Sequence, residues 1–346
     1  MKVLLGNSLS SDLRGFFKQA AVDGLIEVVE GRMSRYINTA AFAEDIGDVN
    51  GEPVVIIQSA GSSGTNTTND YAMQLAFAID ALKNEANAGP VWVIMPHFCY
   101  DRQDKSRPGH NDGIGARAFS QMLKAVGADG FSVIEAHSEK AMDFVRDAFG
   151  DANVYNLDPS ELYAEHLKEN GMENAEVIGP DKGSDPRADH LQKLLNGNDV
   201  HARLRKHRSA DVSQDTEFDG MEGDISGKDV VMVDDVCDSG GTFSNAGKHA
   251  KTEGGAKSVS ALVAAGTFAN DGLKRVYEAK TKGENAAPVF DKIMVLDTVD
   301  TSGRLAELER EYPDAKDRVE ILNPGPLLLG HITHDIANHP TMKLKK

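Results

Sequence analysis

The stretch VVMVDDVCDSGGTF, residues 230–243, decides the fold of this chain. Its four apolar residues, 230–233, predict a buried strand, and two acids, Asp234 and Asp235, follow directly. The glycine-rich run after them leads into a helical pattern. Exposed backbone N–H groups and the helix dipole at such a turn favour an anion such as a phosphate. The two acids can hold ribose hydroxyls or a metal beside that anion. An ordinary glycine-rich turn explains the glycines but leaves the acid pair unexplained.

Short apolar runs alternate with amphipathic stretches along the whole chain, which predicts parallel α/β sheets with crossover helices. The predicted strands are residues 2–5, 53–58, 91–95, 131–135, 175–178, 230–233, 258–264 and 292–296. Helices are predicted over residues 69–86 and 242–253, and after Asp158-Pro159, where Asp158 is expected to cap the first turn. On the first of these helices, the residues expected to share one apolar face are Met73, Ala76, Ile79 and Leu82.

The apolar periodicity breaks in GDANVYNLDPS, residues 150–160, and this break indicates two α/β domains of similar build. The N-terminal domain is predicted to span residues 1–155 and the C-terminal domain residues 156–323. The last segment, residues 324–346, is expected to pack back on the N-terminal domain. Residues 208–228 are polar and contain glycines, which favours a mobile loop or a hairpin.

Charge and composition exclude several classes of protein. A net charge of −17 over 346 residues argues against nonspecific binding to nucleic acid or to an anionic membrane surface. No apolar run approaches the ~20 residues of a transmembrane helix, and the N-terminal apolar run is too short for a signal peptide. The two cysteines, Cys99 and Cys237, provide no disulfide framework and fit a reducing compartment. A cytoplasmic protein is therefore expected.

A second polar segment, MPHFCYDRQDKSR, follows the predicted strand at residues 91–95. Such a loop lies at the carboxyl edge of a parallel sheet, where ligands usually bind. Arg102 offers a fork to phosphate and Gln103 can read a base edge, with Asp104 beside them. By spacing alone, such a segment is more often a solvated charged loop.

Three further segments carry residues with chemical potential. His137 in EAHSE follows a predicted strand and can bind a metal or a phosphate. Asp181 in IGPDKG also follows a strand and can hold Mg²⁺ or a ribose hydroxyl. Each alone is more often a structural histidine or a turn residue. The basic run RLRKHRSADVSQ, residues 203–214, is the third segment and stands out in an acidic chain.

The five segments, in their order along the chain, resemble those of one family, the ribose-phosphate pyrophosphokinases, also called phosphoribosyl pyrophosphate synthetases. Members share an IIQS strand end with a T-N-D-x-x-M segment, a P-Y-F-x-Y-x-R-Q-D signature, a D-x-H segment, an S-P-D-x-G segment and a D-D-x-x-D-[ST]-G-G-T loop. Here these are matched by Gln58 and Ser59 with Asn69, Asp70 and Met73, and by PHFCYDRQD, EAHSE, GPDKG and DDVCDSGGT. The resemblance implies two phosphoribosyltransferase-like domains, each a mostly parallel sheet flanked by helices.

The resemblance also implies roles for individual residues. The residues expected to bind ribose 5-phosphate are Asp234, Asp235, Asp238, Ser239, Gly240, Gly241 and Thr242. Those expected to bind ATP are Arg102, Gln103 and Asp104. Mg²⁺ is expected at His137 and Asp181. The expected catalytic residues are Lys206, Arg208 and His137. Alignment on the shared VSQ gives Arg205 and His207 as the loop cations instead, so both pairs stay open.

Two departures from the family pattern concern the nucleotide site. The family's F-S-D-G-E hairpin, which reaches the nucleotide site of a neighbouring subunit, corresponds by our alignment to VVEGR, residues 28–32. That segment lacks the aromatic residue and carries Arg32 in place of an acid. The chain also inserts GSSGTNT, residues 61–67, where the family has a short turn. In addition, Glu135 stands where the family has Asp before the metal-site histidine.

The resemblance implies Mg²⁺-dependent transfer of diphosphate from ATP to the anomeric hydroxyl of ribose 5-phosphate, giving phosphoribosyl pyrophosphate and AMP. It also implies a homo-oligomer built from dimers, with a hexamer as one form. Three alternatives stay open: diphosphoryl transfer to another ribose acceptor such as ADP-ribose, a noncatalytic regulatory relative that binds true synthetases, and a true phosphoribosyltransferase.

Overall fold

The computed structural model describes residues 1–199, 202–206, 218–281 and 286–343. The chain divides into two compact units. The first unit contains Met1–Asp158, Thr298–Asp300 and the C-terminal stretch from Asn323. The second unit contains Pro159–Asp297 and Thr301–Leu322. Each unit has its own parallel sheet and its own apolar core.

The secondary structure alternates between strands and helices, as the sequence predicts. In chain order the strands are β1 (Lys2–Leu5), β2 (Glu27–Val29), β3 (Arg32–Arg35), β4 (Ala41–Glu44), β5 (Val54–Ile57), β6 (Val91–Met95), β7 (Gly130–Ile134), β8 (Val154–Leu157), β9 (Glu176–Ile178), β10 (Arg203–Lys206), β11 (Phe218–Glu222), β12 (Asp229–Cys237), β13 (Ser258–Gly266), β14 (Lys292–Leu296) and β15 (Val319–Leu322). The helices are α1 (Ser11–Val22), α2 (Thr68–Asn84), α3 (Gly115–Ala125), α4 (Glu139–Phe149), α5 (Ser160–Glu169), α6 (Asp185–Asn196), α7 (Gly241–Thr252), α8 (Gly272–Glu278), α9 (Ser302–Glu311), α10 (Ala315–Arg318) and α11 (Gly325–Gly330). No helix within these described ranges has both the length and the apolarity needed to span a bilayer.

The sheet of the first unit has the order β2-β1-β5-β6-β7-β8, and every neighbouring pair is parallel. Its central strands β5 and β6 are completely buried, as their continuous apolar sequences require for a sheet covered on both faces. The prediction of an α/β fold with mostly parallel sheets is confirmed. Because all strands run in one direction, the loops after β6 and β7 leave the sheet at the same edge.

The sheet of the second unit has the order β15-β14-β13-β12-β9 and is also entirely parallel. Strand β12 lies between β13 and β9. The segments that follow β9 and β12 therefore leave the sheet side by side at its carboxyl edge. This is where the sequence placed Asp181 and the glycine-rich run.

The buried face of α2 differs from the predicted one. Ile79 and Leu82 are buried, but Met73 is 38% exposed. A step of three residues turns a helix by 300°, so residues at this spacing drift by 60° per step and Met73 ends opposite Leu82. The helix begins after Thr67, whose hydroxyl accepts the Asp70 N–H while the Asp70 carboxylate accepts the Thr67 N–H.

Several element boundaries also differ from the prediction. Strand β12 continues to Cys237 because β13 is equally long and pairs with it as far as Gly266. Strand β8 lies inside the stretch predicted as a break, since it forms the outer strand of the first sheet and its apolar pattern is weak. Helix α5 begins at Ser160 with Pro159 at the N-cap position, so the predicted cap at Asp158 is wrong.

The C-terminal stretch packs within the first unit through a buried histidine. The imidazole of His331 lies 2.8 Å from the hydroxyl of Ser132, which also accepts the indole N–H of Trp92 at 2.8 Å. The other ring nitrogen contacts Asp335 at 2.8 Å. Burial lowers the pKa of His331 despite that carboxylate. The buried His331 imidazole therefore joins the C-terminal stretch to β6 and β7.

The segment at residues 28–32 is not a hairpin. Val28 and Val29 belong to β2, which pairs with β1 in parallel. The antiparallel hairpin of this unit is β3–β4, and its turn spans residues 36–40. Tyr36 lies at its tip, half-exposed and in contact with Phe42 at 4.5 Å between ring centroids. The prediction that the hairpin lacks an aromatic residue is therefore wrong, because the hairpin lies further along the chain.

Candidate active site

The acid pair of the second unit lies within the end of β12 rather than after it. Asp234 pairs with Val263 of β13, and Asp235 is buried. The sequence prediction brought the two acids to the correct sheet edge but ended the strand too early.

A short turn joins β12 to α7. Gly240 occupies the N-cap position with φ of 74°, a left-handed conformation that favours glycine. The Ser244 N–H donates to the Gly240 carbonyl at 2.9 Å and begins the helical hydrogen-bond pattern. The first N–H groups of α7, including those of Gly241 and Thr242, have no intrahelical acceptor, and no side chain caps this helix. These groups and the helix dipole suit a phosphate.

Asp238 and Ser239 occupy the rest of the turn. The hydroxyl of Thr267, which follows β13, donates to the Asp238 carboxylate at 3.1 Å and to the Cys237 carbonyl at 3.3 Å. Ser239 is exposed. Hydrogen bonds from the neighbouring strand end therefore shape the turn and leave the Ser239 side chain at the surface.

Asp234 is held by residues that the sequence analysis did not single out. The Ser184 hydroxyl donates to the Asp234 carboxylate at 2.5 Å, and the Asp235 N–H donates to the same oxygen at 3.0 Å. The guanidinium of Arg187 lies 3.4 Å from Asp234 and 3.9 Å from Asp235. Burial raises the pKa of Asp234, and the neighbouring Asp235 carboxylate raises it further.

Ser184 lies between β9 and α6, close to the predicted residue Asp181, and Arg187 lies in the first turn of α6. The carboxylate of Asp181 accepts the Gly183 N–H at 2.9 Å and caps a short 3₁₀ turn. The Asp181 side chain is half-buried. The only sequence signal for Arg187 was its place in the first turn of the helix after GPDKG, which is too weak to assign a role.

The described part of the cationic segment, Arg203–Lys206, forms β10, which pairs antiparallel with β11. Arg205 contacts Asp185 at 3.2 Å and Glu222 at 2.5 Å, and these hydrogen bonds raise the pKa of its guanidinium. Arg203 contacts Asp185 at 3.1 Å and Asp189 at 2.6 Å. Lys206 is the last residue of β10. The remaining two predicted cations, His207 and Arg208, lie outside the described residues.

In the first unit, the RQD loop after β6 approaches the histidine segment after β7. Arg102 and Gln103 are exposed, as expected for residues that meet a ligand. Asp104 is instead buried, and its carboxylate accepts the Ser138 hydroxyl at 2.8 Å. His137 is exposed, and its backbone N–H donates to the Asp101 carboxylate at 3.0 Å. The structure thus joins the predicted nucleotide and metal segments through two buried acids.

The IIQS segment plays a packing role in the structure. Gln58 is completely buried, and its side-chain oxygen accepts the Ser8 N–H at 3.2 Å and the Ser8 hydroxyl at 3.0 Å. The Ser59 hydroxyl donates to the Thr298 carbonyl at 2.5 Å and accepts the His97 N–H at 3.2 Å. Both side chains therefore bind protein groups at the carboxyl edge of the first sheet.

The inserted residues 61–67 form a compact turn. Ser63 and Asn66 form an isolated bridge, and the Ser63 hydroxyl lies 2.8 Å from that of Tyr71 on α2. Arg35, at the end of β3, donates to the Thr65 carbonyl at 2.6 Å and contacts Asp70 at 3.1 Å. The insertion therefore connects the β3–β4 hairpin to the first turn of α2.

Comparison with known proteins agrees with this architecture. Residues 14–127 match the N-terminal domain of ribose phosphate pyrophosphokinase, and residues 158–292 match the phosphoribosyl transferase domain. The chain is 30% identical over 307 residues to the ribose-phosphate pyrophosphokinase of Vibrio cholerae, covering 88% of this chain and 89% of that protein. It is 29% identical over 326 residues to the protein of the same name from Hyphomonas neptunium, covering 92% and 94%.

A solved structure shows the same fold over nearly the whole chain. The phosphoribosylpyrophosphate synthetase from Mycobacterium smegmatis superposes with a TM-score of 0.77, covering 97% of this chain and 99% of that chain at 24% identity. Both units thus have the phosphoribosyltransferase-like fold that the sequence predicts. The sequence identity to curated relatives over most of the chain, together with the uncapped helix after the β12 acid pair, leads to one conclusion: the chain is an enzyme that belongs to the ribose-phosphate pyrophosphokinase family.

Proposed function

We propose that this protein transfers the β,γ-diphosphoryl group of ATP to the anomeric hydroxyl of ribose 5-phosphate. The hydroxyl oxygen attacks the β-phosphorus, the bond from that phosphorus to the α,β-bridging oxygen breaks, and AMP leaves with that oxygen. The hydroxyl proton is released. The observation that carries the proposal is the uncapped N-terminus of α7 directly after the β12 acids, in a chain of this family.

Ribose 5-phosphate is proposed to bind at the second unit. Its phosphate would accept hydrogen bonds from the first N–H groups of α7 and from Ser239, because no side chain caps that helix. The ribose hydroxyls would contact Asp234 and Asp235. Ser184 and Arg187 already fix the Asp234 carboxylate, so little of its side-chain entropy would be lost when the sugar binds.

ATP is proposed to bind at the RQD loop of the first unit. The exposed Arg102 would contact phosphate oxygens and the exposed Gln103 would contact the base. Asp104 is buried and bound to Ser138, so its contribution is expected to be the shape of the loop. Tyr36 at the tip of the β3–β4 hairpin would supply the aromatic contact to the nucleotide site of a neighbouring subunit.

Mg²⁺ fits the donor set of this chain. Within residues 1–199, 202–206, 218–281 and 286–343, no three acidic, histidine or cysteine side chains form a metal-binding group. Mg²⁺ commonly binds one or two protein groups and takes its other ligands from substrate phosphates and water. The exposed His137 of the first unit and Asp181 of the second unit would each offer one such group to an ion. When bound, the ion would neutralise charge on the triphosphate.

The loop cations are proposed to be Lys206 and Arg208 rather than Arg205 and His207. Arg205 is bound to Asp185 and Glu222, so moving it onto a diphosphate would break both ion pairs. Lys206 is the last residue of β10 before the connection to β11. Cations at the transferred group stabilise its charge, and loss of one typically costs about 10²–10³-fold in rate.

We also propose a homo-oligomer built from dimers, because Tyr36 and Ile37 at the hairpin tip are exposed, Ile37 completely. A cytoplasmic location is proposed on the basis of two free, buried cysteines. Light scattering tests the first proposal: the variant in which both tip residues are replaced by Ser should assemble less well. A fully active wild-type monomer would contradict it.

The decisive experiment is phosphorus NMR of the protein with Mg²⁺, ATP and ribose 5-phosphate, repeated with ADP-ribose. Appearance of AMP and a new anomeric diphosphate with ribose 5-phosphate supports the proposal. Product formed from ADP-ribose but not from ribose 5-phosphate would show that the acceptor is the larger compound. Absence of AMP with either acceptor would refute diphosphoryl transfer. ADP-ribose is included as a larger acceptor because the chain carries an insertion at residues 61–67 that hydrogen bonds anchor.

A paired variant tests the loop assignment. Replacing Lys206 and Arg208 by Ala should lower kcat by at least about 10²-fold. The control replaces Lys257 and Arg310, two exposed cations of the same unit, by Ala and removes the same charge. Full turnover in the first double variant would show that the loop cations are misassigned.

A further inference from the structure

Asp101 is a buried acid at a position that the family signature leaves variable. In PHFCYDRQD it occupies the second variable position of P-Y-F-x-Y-x-R-Q-D. Its side chain is 5% exposed, and its carboxylate accepts the backbone N–H of His137 at 3.0 Å. A buried carboxylate is costly unless its oxygens receive hydrogen bonds. The bond to His137 therefore has a structural value that an alanine at this position could not supply.

The backbone of the histidine segment is held at three consecutive N–H groups. Glu135 donates to the Leu157 carbonyl at 3.0 Å, Ala136 donates to the Asn156 side chain at 3.0 Å, and His137 donates to Asp101. The first two acceptors belong to β8, the neighbouring strand of the sheet. The third acceptor, Asp101, comes from the RQD loop, so this bond sets the position of His137 relative to that loop.

Backbone strain on both sides of this bond indicates that the arrangement is imposed by its contacts. Tyr100, just before Asp101, has φ of 67°, and Glu135, two residues before His137, has φ of 50°. Neither is a glycine, and a left-handed conformation costs such residues about 1–2 kcal/mol. Strained residues persist where the surrounding contacts hold them. Without Asp101, the backbone of His137 would lose its own hydrogen bond to the RQD loop.

A second bond runs parallel to the first. The Asp104 carboxylate accepts the Ser138 hydroxyl at 2.8 Å, and Ser138 in turn accepts the Ala141 N–H at 3.1 Å and caps α4. Asp104 therefore holds the side chain of the residue after His137, while Asp101 holds the backbone of His137 itself. The Asp104 bond secures the start of α4, and the Asp101 bond secures the residue that carries the imidazole.

We infer that Asp101 is a positioning residue that fixes His137 against the RQD loop and so presents its imidazole to the metal–nucleotide complex. This inference rests on the proposed function for the role of His137. Groups that orient a metal ligand without touching the metal typically contribute 10–100-fold to metal affinity or activity. We expect an effect of that size on Mg²⁺ dependence when Asp101 loses its acceptor.

The test compares Asp101→Ala with Asp101→Asn, which keeps an acceptor oxygen, and with Asp129→Ala. Asp129 is the control because its carboxylate likewise accepts a backbone N–H, that of Val91 at 2.8 Å, but at the amino end of β6. The first readout is hydrogen exchange of the peptide covering residues 135–141, which needs no substrate. The second is the Mg²⁺ concentration that gives half-maximal turnover.

Asp101→Ala should exchange faster in residues 135–141 and need about 10–100-fold more Mg²⁺. Asp101→Asn should resemble the wild type in both readouts, and Asp129→Ala should change neither. A folded Asp101→Ala with wild-type exchange and Mg²⁺ dependence overturns the inference, as does an Asp101→Asn that fails like Ala.

If Asp101→Ala does not fold, Asp101→Glu takes its place, since the extra methylene displaces the acceptor but keeps the charge. It should show the same two defects, and wild-type behaviour would overturn the inference. If the wild type makes no phosphoribosyl pyrophosphate, the proposed function fails, while the exchange measurement still decides whether Asp101 holds the segment.

Discussion

The close packing of α8 against the glycine-rich turn after β12 makes Gly272→Ala a sensitive test of the proposed ribose-phosphate site. Gly272 is the first residue of α8 and has ordinary helical dihedrals, φ of −54° and ψ of −41°. The substitution therefore introduces no backbone strain. A Cβ at this position would lie 2.0 Å from the carbonyl oxygen of Asp238.

Two effects of opposite sign compete in this variant. Alanine favours a helix over glycine by up to about 1 kcal/mol. Against this, an ordinary van der Waals contact between the new Cβ and the Asp238 carbonyl oxygen needs about 3.4 Å, so the turn or the helix must move by about 1.4 Å. Overpacking of this kind typically costs about 1–3 kcal/mol. The steric term should prevail, with a net loss of roughly 1–2 kcal/mol in the free energy of unfolding. A shift near 1 Å in a binding turn can lower kcat/KM by about 10²-fold.

The assay combines urea unfolding with kcat/KM for ribose 5-phosphate. Gly303→Ala is the matched control: Gly303 lies in the first turn of α9 in the same unit, and its Cβ would meet nothing within 4 Å. That variant should be as stable as the wild type or up to about 1 kcal/mol more stable, with unchanged kinetics. If Gly272→Ala behaves like Gly303→Ala, α8 does not constrain the turn and the reasoning is refuted.

Three further outcomes are expected. Gln58→Leu should lower the free energy of unfolding by about 1–3 kcal/mol, because it leaves buried donors without an acceptor. Urea unfolding should show no such loss for the control Gln121→Leu, since Gln121 is exposed. Equal losses in the two variants would contradict the packing role of Gln58. Asp234→Asn should raise the free energy of unfolding of the free protein at pH 8, because the raised pKa of the Asp234 carboxyl means that its ionised form destabilises the fold. This gain in stability should shrink as the pH falls through that pKa towards the unfolded value near 3.9. A gain that urea unfolding shows to be independent of pH would refute the prediction. Burial raises the pKa of both Cys99 and Cys237, so a thiol reagent at pH 8 should modify them only after unfolding; rapid reaction of the native protein would show that one is accessible.

The chemistry-bearing segments could be found from the sequence because they follow continuous apolar runs. A strand covered on both faces must be apolar throughout, so β6 and β14 were predicted with their observed bounds. The parallel arrangement then brings the polar segments after β9 and β12 to one sheet edge. Residues at the periphery were harder to predict. Strand β8 is only half-buried, and β3 and β4 alternate weakly, so their patterns carry little signal.

The hairpin error shows how a motif can be assigned to the wrong element. VVEGR contains a glycine between polar residues and therefore looks like a turn, but strand pairing places its first two residues in the parallel sheet. The true turn at residues 36–40 has no glycine and uses Thr39 at φ of 68° instead. A local pattern could not distinguish these cases, because pairing with β1 lies outside the segment.

Apolar periodicity and glycine placement are local properties of the chain, so they were enough to predict the fold class, the order of the motifs and the glycine-rich turn after β12. Which groups meet depends on the tertiary structure. Ser184 reaches Asp234 across 50 positions of sequence, and Asp101 reaches His137 across 36. Such contacts depend on which strands are neighbours and where each one ends. For the same reason Arg205, a candidate cation in the sequence, proves to be bound to Asp185 and Glu222.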